Sequence, residues 1–497
     1  MKKPNQQNNN TMQALWVAMG SLSSFSLAIV SAAILSRYFN KVEYGTYRQI
    51  VYVYSTLLIV FAAGLPSVFS YFLPRYSLNQ GKDIVWKITK VLFLLGAVFS
   101  ASLFVFSGVI ADLLNNQELD TGLKVFAPIP MMLLPTLGIE GIFSTYKKTY
   151  YIAIYNTLSR VLMLLFIVLP VIILKGSYIY AIYGWLVVSF ISLILALYFK
   201  RIPFKGIVSE KNDLSYKEVF SYSLPLVAAS IWGIAIKSAD QFYISRFFGA
   251  EVFAEFSNGF IDIPIVGMVT GAAATVLLPV LSKMIHDKTN IENVLLVWKS
   301  TLLKSATIIY PIVVFFLFNA QNIIIILYSK TYLNSAVFFQ ISMILNFFNI
   351  VIFAPLIFAM GKTKLYSMVH AILAICAWVI GYIVILAFNT PVAIAILSVT
   401  ISIIKILIFV FFIAKIFNIS PLRMFPLRKI LVICIHSIIT MIIVSLGIRY
   451  FLPACKPIII LIFSSFSFIA LLLLTSRLVK VDYFIVLNPF LKKANRK

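Results

Sequence analysis

Fourteen apolar runs, each long enough to cross a bilayer, take up most of the 497 residues and are joined by short loops. They lie near 14–35, 49–73, 88–110, 124–145, 150–173, 178–199, 219–243, 257–282, 298–318, 335–359, 365–388, 391–414, 430–450 and 456–476. A helix needs about 20 apolar residues to cover the hydrocarbon core. Lipid supplies no hydrogen bonds, so a crossing segment must satisfy its own backbone; the runs lack the alternation of barrel strands and are predicted as helices. Only 11% of residues are charged, against about 25% in a soluble domain. The expected class is an all-α polytopic membrane protein. The first run sits where a signal peptide would, but its full length and the spans behind it favour a retained helix.

The excess of 41 Lys+Arg over 16 Asp+Glu gives +25. No nucleic-acid-binding pattern accompanies it, and no nucleic-acid partner is expected. With the N-terminus in the cytoplasm, 27 basic residues fall on inner segments and nine on outer ones. This bias predicts cytoplasmic N- and C-termini. The longest loop, an inner one at 200–217, divides the chain. The expected organisation is an N-terminal lobe of helices 1–6 (1–200), a cytoplasmic inter-lobe linker (201–217), a C-terminal lobe of helices 7–12 (218–417), and helices 13–14 with a basic tail (418–497).

The stretch "LSRYFNKVEYGTYRQI" at 35–50 is echoed by "ISRFFGAEVFAEFSNG" at 244–259. Ser36-Arg37-Tyr38-Phe39 falls on Ser245-Arg246-Phe247-Phe248, "LPRY" (73–76) on "LSKM" (281–284), and "WKIT" (86–89) on "WKST" (298–301), with a spacing of 208 to 212. Three matches in order predict two copies of a six-helix unit. Six is even, so both copies enter from the same side, and their pseudo-two-fold axis runs along the membrane normal. Such a plan places a transport site between the halves.

Eight ionisable residues fall inside the spans: Lys90, Arg160, Lys237, Lys304, Lys405, Glu140, Asp240 and Asp262. Each costs about 2.5–3.5 kcal/mol at mid-membrane if ionised, so each must face a cavity, pair, or snorkel. Lys90 and Lys304 lie near a boundary and are expected to snorkel; Asp262 is placed to cap helix 8. The balance suits an anionic ligand. Arg160, Lys237 and Lys405, with Arg37 and Arg246 at the outer turns, are the expected cationic substrate cleft. Tyr151, Tyr155 and Tyr243 are candidates for stacking on sugar rings. Lys237 and Asp240 are three apart and can pair; their counterparts in helix 1 are Ala28 and Ser31. Glu140 has no basic neighbour within a helical turn. Glu140 and Asp240 are therefore the ion-coupling candidates, Glu140 as the carrier and Asp240 as the group that tunes Lys237. Pro225 is the hinge candidate, and Gly267 and Gly271 form a candidate close-packing face. Cys376, Cys434, Cys455, His370 and His436 are isolated in or near apolar helices and are expected in the core. No catalytic residue, metal site, nucleotide motif or cofactor is expected, beyond coupling to H+ or Na+.

The Ser-rich first helix "MGSLSSFSLAIVSAAILSRYF", the turn "VEYGTY" (Val42 to Tyr47), the six-plus-six-plus-two layout and the end of helix 7, "KSADQFYISRFFG", resemble the Wzx-type polysaccharide flippases of the multidrug/oligosaccharidyl-lipid/polysaccharide (MOP) exporter superfamily. The resemblance covers nearly the whole chain and rests on the order of its features. It implies a V-shaped, two-lobed protein of the bacterial cytoplasmic membrane. By alternating access, such a protein moves an undecaprenyl-pyrophosphate-linked oligosaccharide from inner to outer leaflet for O-antigen, capsule or exopolysaccharide assembly. Polysaccharide polymerase and chain-length regulator proteins are candidate partners. The alternatives are a flippase for the lipid-linked peptidoglycan precursor and a cation-coupled drug antiporter, which would want an acidic cleft. A membrane glycosyltransferase or polymerase commonly needs catalytic residues on a sizeable outer loop, and the longest outer loops here have about 14 residues.

Overall fold

The computed structural model describes residues 25–453 and 455–483, together with Trp16, Gly20 and Ser23. All regular structure among them is helical. Eleven helices are long and apolar enough to cross a membrane, or twelve spans if the bent pair 41–61 and 65–75 counts as one. Phe25–Tyr38 and Ser335–Asn346 are shorter apolar helices. The expected count of fourteen is thus not reached by full-length helices: the run at 335–359 stops being helical partway, and the start of the first run lies outside the described residues.

The chain forms two compact units, 1–254 and 255–497. The first contains α1 (Phe25–Tyr38), α2 (Lys41–Phe61), α3 (Leu65–Phe72), α4 (Leu78–Val105), α5 (Ser107–Leu113), α6 (Glu118–Phe126), α7 (Ile129–Leu133), α8 (Ile139–Thr145), α9 (Tyr150–Leu174), α10 (Tyr178–Arg201) and most of α11 (Tyr216–Gly259). The second contains α12 (Pro264–His286), α13 (Ile291–Phe318), α14 (Ala320–Tyr328), α15 (Ser335–Asn346), α16 (Ala354–Ala359), α17 (Thr363–Phe388), α18 (Pro391–Ile416), α19 (Leu427–Phe451) and α20 (Pro457–Thr475).

In the first unit, Phe69 of α3 packs with Ile84, Ile88 and Leu92 of α4 and Ile142 of α8. The segment 201–217 folds onto the same core through Phe204 and Leu214. Lys82 donates to the Ile207 carbonyl at 2.7 Å, Lys87 donates to the Leu214 carbonyl, and Asn212 donates to Asp83 at 2.6 Å. The connection is therefore strapped to the first turns of α4.

The repeated stretch forms a turn in both copies, by different means. In the first copy, Asn40 accepts from the Glu43 N–H at 2.9 Å while the Glu43 carboxylate accepts from the Asn40 N–H at 3.3 Å. This capping box starts α2. In the second, Gly249 stands at the matching position with φ 76° and ψ −178°, and α11 breaks there. Glycine takes this backbone without a Cβ penalty. Helix 7 thus departs from helical dihedrals at Gly249, whereas Pro225 keeps them; a proline ring fits helical φ and removes only one hydrogen bond when the helix can adjust.

The two turns pack on each other within the first unit. Lys41 and Glu251 pair at 3.1 Å, Gln49 donates to Ser245 at 2.7 Å, and the Tyr52 and Phe253 rings lie 5.9 Å apart. A Cβ on Gly45 would sit 1.9 Å from the Ala250 carbonyl oxygen. Gly267 and Gly271 do not form the expected packing face: a Cβ at either meets nothing within 4 Å.

In the second unit, Val314, Met441 and Phe468 join α13, α19 and α20 in one core. Asn319 donates to Ser464 at 3.1 Å, and His436 lies 2.8 Å from both the Tyr483 hydroxyl and Thr475. His370 is buried, with Nδ1 2.9 Å from the Tyr366 carbonyl. Both histidines are core groups. Large apolar side chains face outward instead, including Ile173 and Phe466 at 70% and 73% exposure, as lipid-facing helices require.

Gly45→Val should lower the thermal stability of the purified protein by at least the 1–3 kcal/mol typical of overpacking, about, because the obstructing atom is backbone. Gly447→Ala, where a Cβ meets nothing within 4 Å, should be neutral or stabilising. Unfolding of both variants in detergent checks this; equal melting temperatures would refute the crossing.

Candidate functional site

Two of the spans in the first unit break next to each other. After α2 the chain passes Ala63 and Gly64, both with positive φ, into α3, and the pair is bent by 43°. The fourth span is interrupted after α7 by a 3-10 turn at 134–136, extended backbone at Leu137 and left-handed Gly138, before α8 resumes. The breaks open on a cavity of about 600 Å³ lined by Ser67, Ser70, Thr136, Glu140, Tyr155 and Asn156, among others. Glu140 lies in the first turn of α8 and is exposed to this space. Its carboxylate accepts from Asn156 Nδ2 at 3.1 Å, and no ion pair to it is found among the described residues.

Arg160 is one turn beyond Asn156 on the same face of α9. It lines a second cavity, of about 140 Å³, with Arg48, Tyr47, Trp185, Ala28 and Ser31. Among the described residues no carboxylate lines this cavity, and both charged side chains that do are basic. Arg48 stands just before the apolar run that begins at 49 and so reads from sequence as an outer-turn residue; α2 in fact starts at Lys41 and carries Arg48 into the bundle. Ala28 and Ser31, the repeat counterparts of Lys237 and Asp240, therefore face two arginines supplied by other helices.

The remaining candidates are spread out. Arg37 is exposed at the end of α1, Lys237 is exposed on α11, and Lys405 is half-buried on α18 in the second unit. Asp240 is buried and accepts the Gln241 N–H at 2.6 Å. Arg246 donates to the carbonyls of Asp112 and Leu113 and so caps the end of α5, the usual way a cation satisfies terminal carbonyls. Tyr155 and Tyr243 are buried, and Tyr151 stacks on Phe143 at 5.0 Å, so these rings are largely engaged within the fold. Asp262 lies one residue before the N-cap position of α12, which is Ile263 and makes no side-chain cap.

Lys200 is the residue that sequence reasoning misplaced. Its place at the end of a run assigned it to the inner loop. Yet it is fully buried, donating to the Pro135 carbonyl at 2.7 Å and to Thr89 Oγ1 at 3.1 Å, with the Phe69 ring 5.2 Å away. Pro135 is in the broken stretch of the fourth span. The lysine therefore holds the break that shapes the Glu140 cavity. A proline-rich interruption opposite a terminal lysine was the available signal.

The family described as polysaccharide biosynthesis protein matches residues 11–285, more than half of the chain. The chain belongs to the polysaccharide biosynthesis protein family. Among solved structures it is similar to the lipid II flippase MurJ in an inward closed conformation, with a TM-score of 0.73 at 15% identity over 93% of this chain and 99% of that one. It is also similar to an inward-facing multidrug resistance MATE family transporter of the MOP superfamily (TM-score 0.63, 10% identity, 80% and 94% covered). The Vibrio cholerae MATE transporter VcmN follows, with a TM-score of 0.58, 12% identity, and 83% and 97% covered. This member of the polysaccharide biosynthesis family thus has the MOP-superfamily fold. No curated protein matches it.

Lys200→Met should fold but loosen the break, leaving the Pro135 carbonyl without a donor at a cost of about 1–3 kcal/mol. Lys200→Glu should lose most of the folded yield, because it sets a buried carboxylate against a carbonyl. Hydrogen exchange over 134–142 and gel filtration in detergent report the two effects. A Glu variant as stable as the parent would remove Lys200 from this role.

Proposed function

We propose that this chain is a flippase that carries an undecaprenyl-pyrophosphate-linked oligosaccharide from the inner to the outer leaflet of a bacterial cytoplasmic membrane for surface polysaccharide assembly. The observation that carries the proposal is that Arg48 and Arg160 line one cavity that has no carboxylate among its described lining residues. A pyrophosphate favours guanidinium donors, whereas an organic cation would not. The family match supports a role in polysaccharide biosynthesis, and the fold is one shared by a lipid flippase. Lys237 and Arg37, in the same unit, are further proposed contacts for the anionic headgroup. Arg246 acts through the fold, as a cap. A second reading, translocation of the lipid-linked peptidoglycan precursor, is favoured by the likeness to MurJ. Complementing one strain that lacks an O-unit flippase and another that lacks its lipid II flippase separates the two.

Arg160→Gln and Arg48→Gln should each lower surface polysaccharide about tenfold or more, the loss expected when a charge-assisted hydrogen bond is removed. Protein level should not change, and Arg160→Lys should retain more function. Normal export by both Gln variants would end the cationic-site proposal.

Glu140 is proposed as the proton or sodium carrier, since it faces a cavity with a neutral amide as its partner. Transport into vesicles with an imposed pH or sodium gradient tests this: Glu140→Gln should lose the gradient dependence. Both termini are proposed to be cytoplasmic. A cysteine at 118 should then react with an impermeant thiol reagent in intact cells, while one at 205 should not; the converse pattern would reverse the orientation.

A further inference from the structure

The first unit has a further cavity, larger than those that hold Glu140 and Arg160. It has a volume of about 930 Å³ and lies where α4 and α9 begin and α10 ends, so all three helices reach it at the same end of the unit. Lys82, Arg201 and Lys205 supply three positive charges, and Trp86, Tyr151 and Tyr198 supply aromatic walls. Among the described residues no carboxylate lines it. The Arg201 guanidinium lies 5.4 Å from the Trp86 ring; a guanidinium that uses its face on an aromatic ring keeps its N–H edge available for an anion. Lys82 is held in place by its bond to the Ile207 carbonyl. Tyr198 is 64% exposed, and the outward faces of α9 and α10 continue from it through Ile154, Phe190 and Ile194, at 47%, 53% and 55%.

We propose that this basin binds the headgroup of an anionic glycerophospholipid of the surrounding leaflet, with its acyl chains lying along the exposed faces of α9 and α10. Basic pockets between helices at the headgroup level are suited to such lipids, and tryptophan and tyrosine favour the same depth. The apolar faces distinguish this occupant from a free phosphate, which would have no use for them. The volume exceeds what one phosphate fills and leaves room for the glycerol. Adjacent residues of α10 divide the work: Lys200 points into the core and Arg201 into the basin. The site lies outside the Arg48–Arg160 cavity and does not depend on the flippase proposal.

Native mass spectrometry of the full-length protein, extracted from bilayers of equal phosphatidylglycerol and phosphatidylcholine, tests the site. The parent protein should retain phosphatidylglycerol in preference. The double variant Arg201→Gln, Lys205→Gln should lose about 30-fold in that preference, as removal of two near-surface charges predicts, while melting at the parent temperature. Arg201→Lys should keep part of it, and Trp86→Ala should weaken it. Undiminished preference in the folded double variant would overturn the proposal. So would displacement of the phospholipid by millimolar inorganic phosphate, which would make this a free-anion site. Displacement by equimolar undecaprenyl pyrophosphate would also overturn it and give the basin to the transported lipid.

Discussion

A carbonyl freed by a break in a membrane helix must find a donor inside the protein, because lipid offers none. Much of the first unit follows from how it meets this demand. The fourth span stops at Pro135, and the ammonium of Lys200 comes to the carbonyl from α10. A buried lysine is costly in its own right, so each partner offsets a cost that the other would carry alone. The break needs the donor, and the donor needs the carbonyl, Thr89 and the Phe69 ring. Their mutual stabilisation fixes Leu137 and Gly138 in non-helical geometry. That geometry restarts the helix so that Glu140 enters the cavity and meets Asn156. A charge at one end of α10 thereby determines what the fourth span presents a turn further on.

The internal repeat shows how the same turn is reached from different sequences. Asn40 and Glu43 satisfy the first amides of α2 with side chains, whereas Gly249 reorients the backbone and lets the chain remain helical on both sides. The two turns then cross so closely that Gly45 has no room for a Cβ against Ala250. The matching stretches therefore mark a packing contact. It also explains why the first compact unit extends past the 201–217 segment to Ala254: α11 contributes Ser238, Ser245 and Phe253 to contacts with α2.

The class, the helical character and the repeat were legible because they are properties of runs of residues, which a sequence displays directly. Breaks were less so. Hydropathy passes through residues 335–359 without a change, yet the helix ends at Asn346 and resumes at Ala354. Proline is visible in a sequence as a helix breaker, yet Pro225 keeps helical dihedrals and α11 departs from them at Gly249, whose freedom carries no hydropathy signal. Gly267 and Gly271 had the spacing of a packing motif and face open space, since spacing cannot say whether another helix is opposite. Glu140 and Arg160 were legible as costly residues deep in spans. Arg48 and Lys200 were not, because a charge at the edge of an apolar run looks like a loop residue until the helix is seen to include it.

The charges of the candidate site obey a related logic. On α11, Lys237 and Asp240 stand one turn apart; the matching face of α1 carries Ala28 and Ser31. Small side chains there leave space, and that space is lined by Arg48 from α2 and Arg160 from α9. The first copy thus obtains positive charge from neighbouring helices at a place where the second carries it on the helix itself together with an acid. Both charged residues lining that space are basic, whereas on α11 a lysine has an acid three residues away. The two copies of the repeated stretch therefore carry their charge on different helices, α2 and α9 around the first and α11 itself in the second.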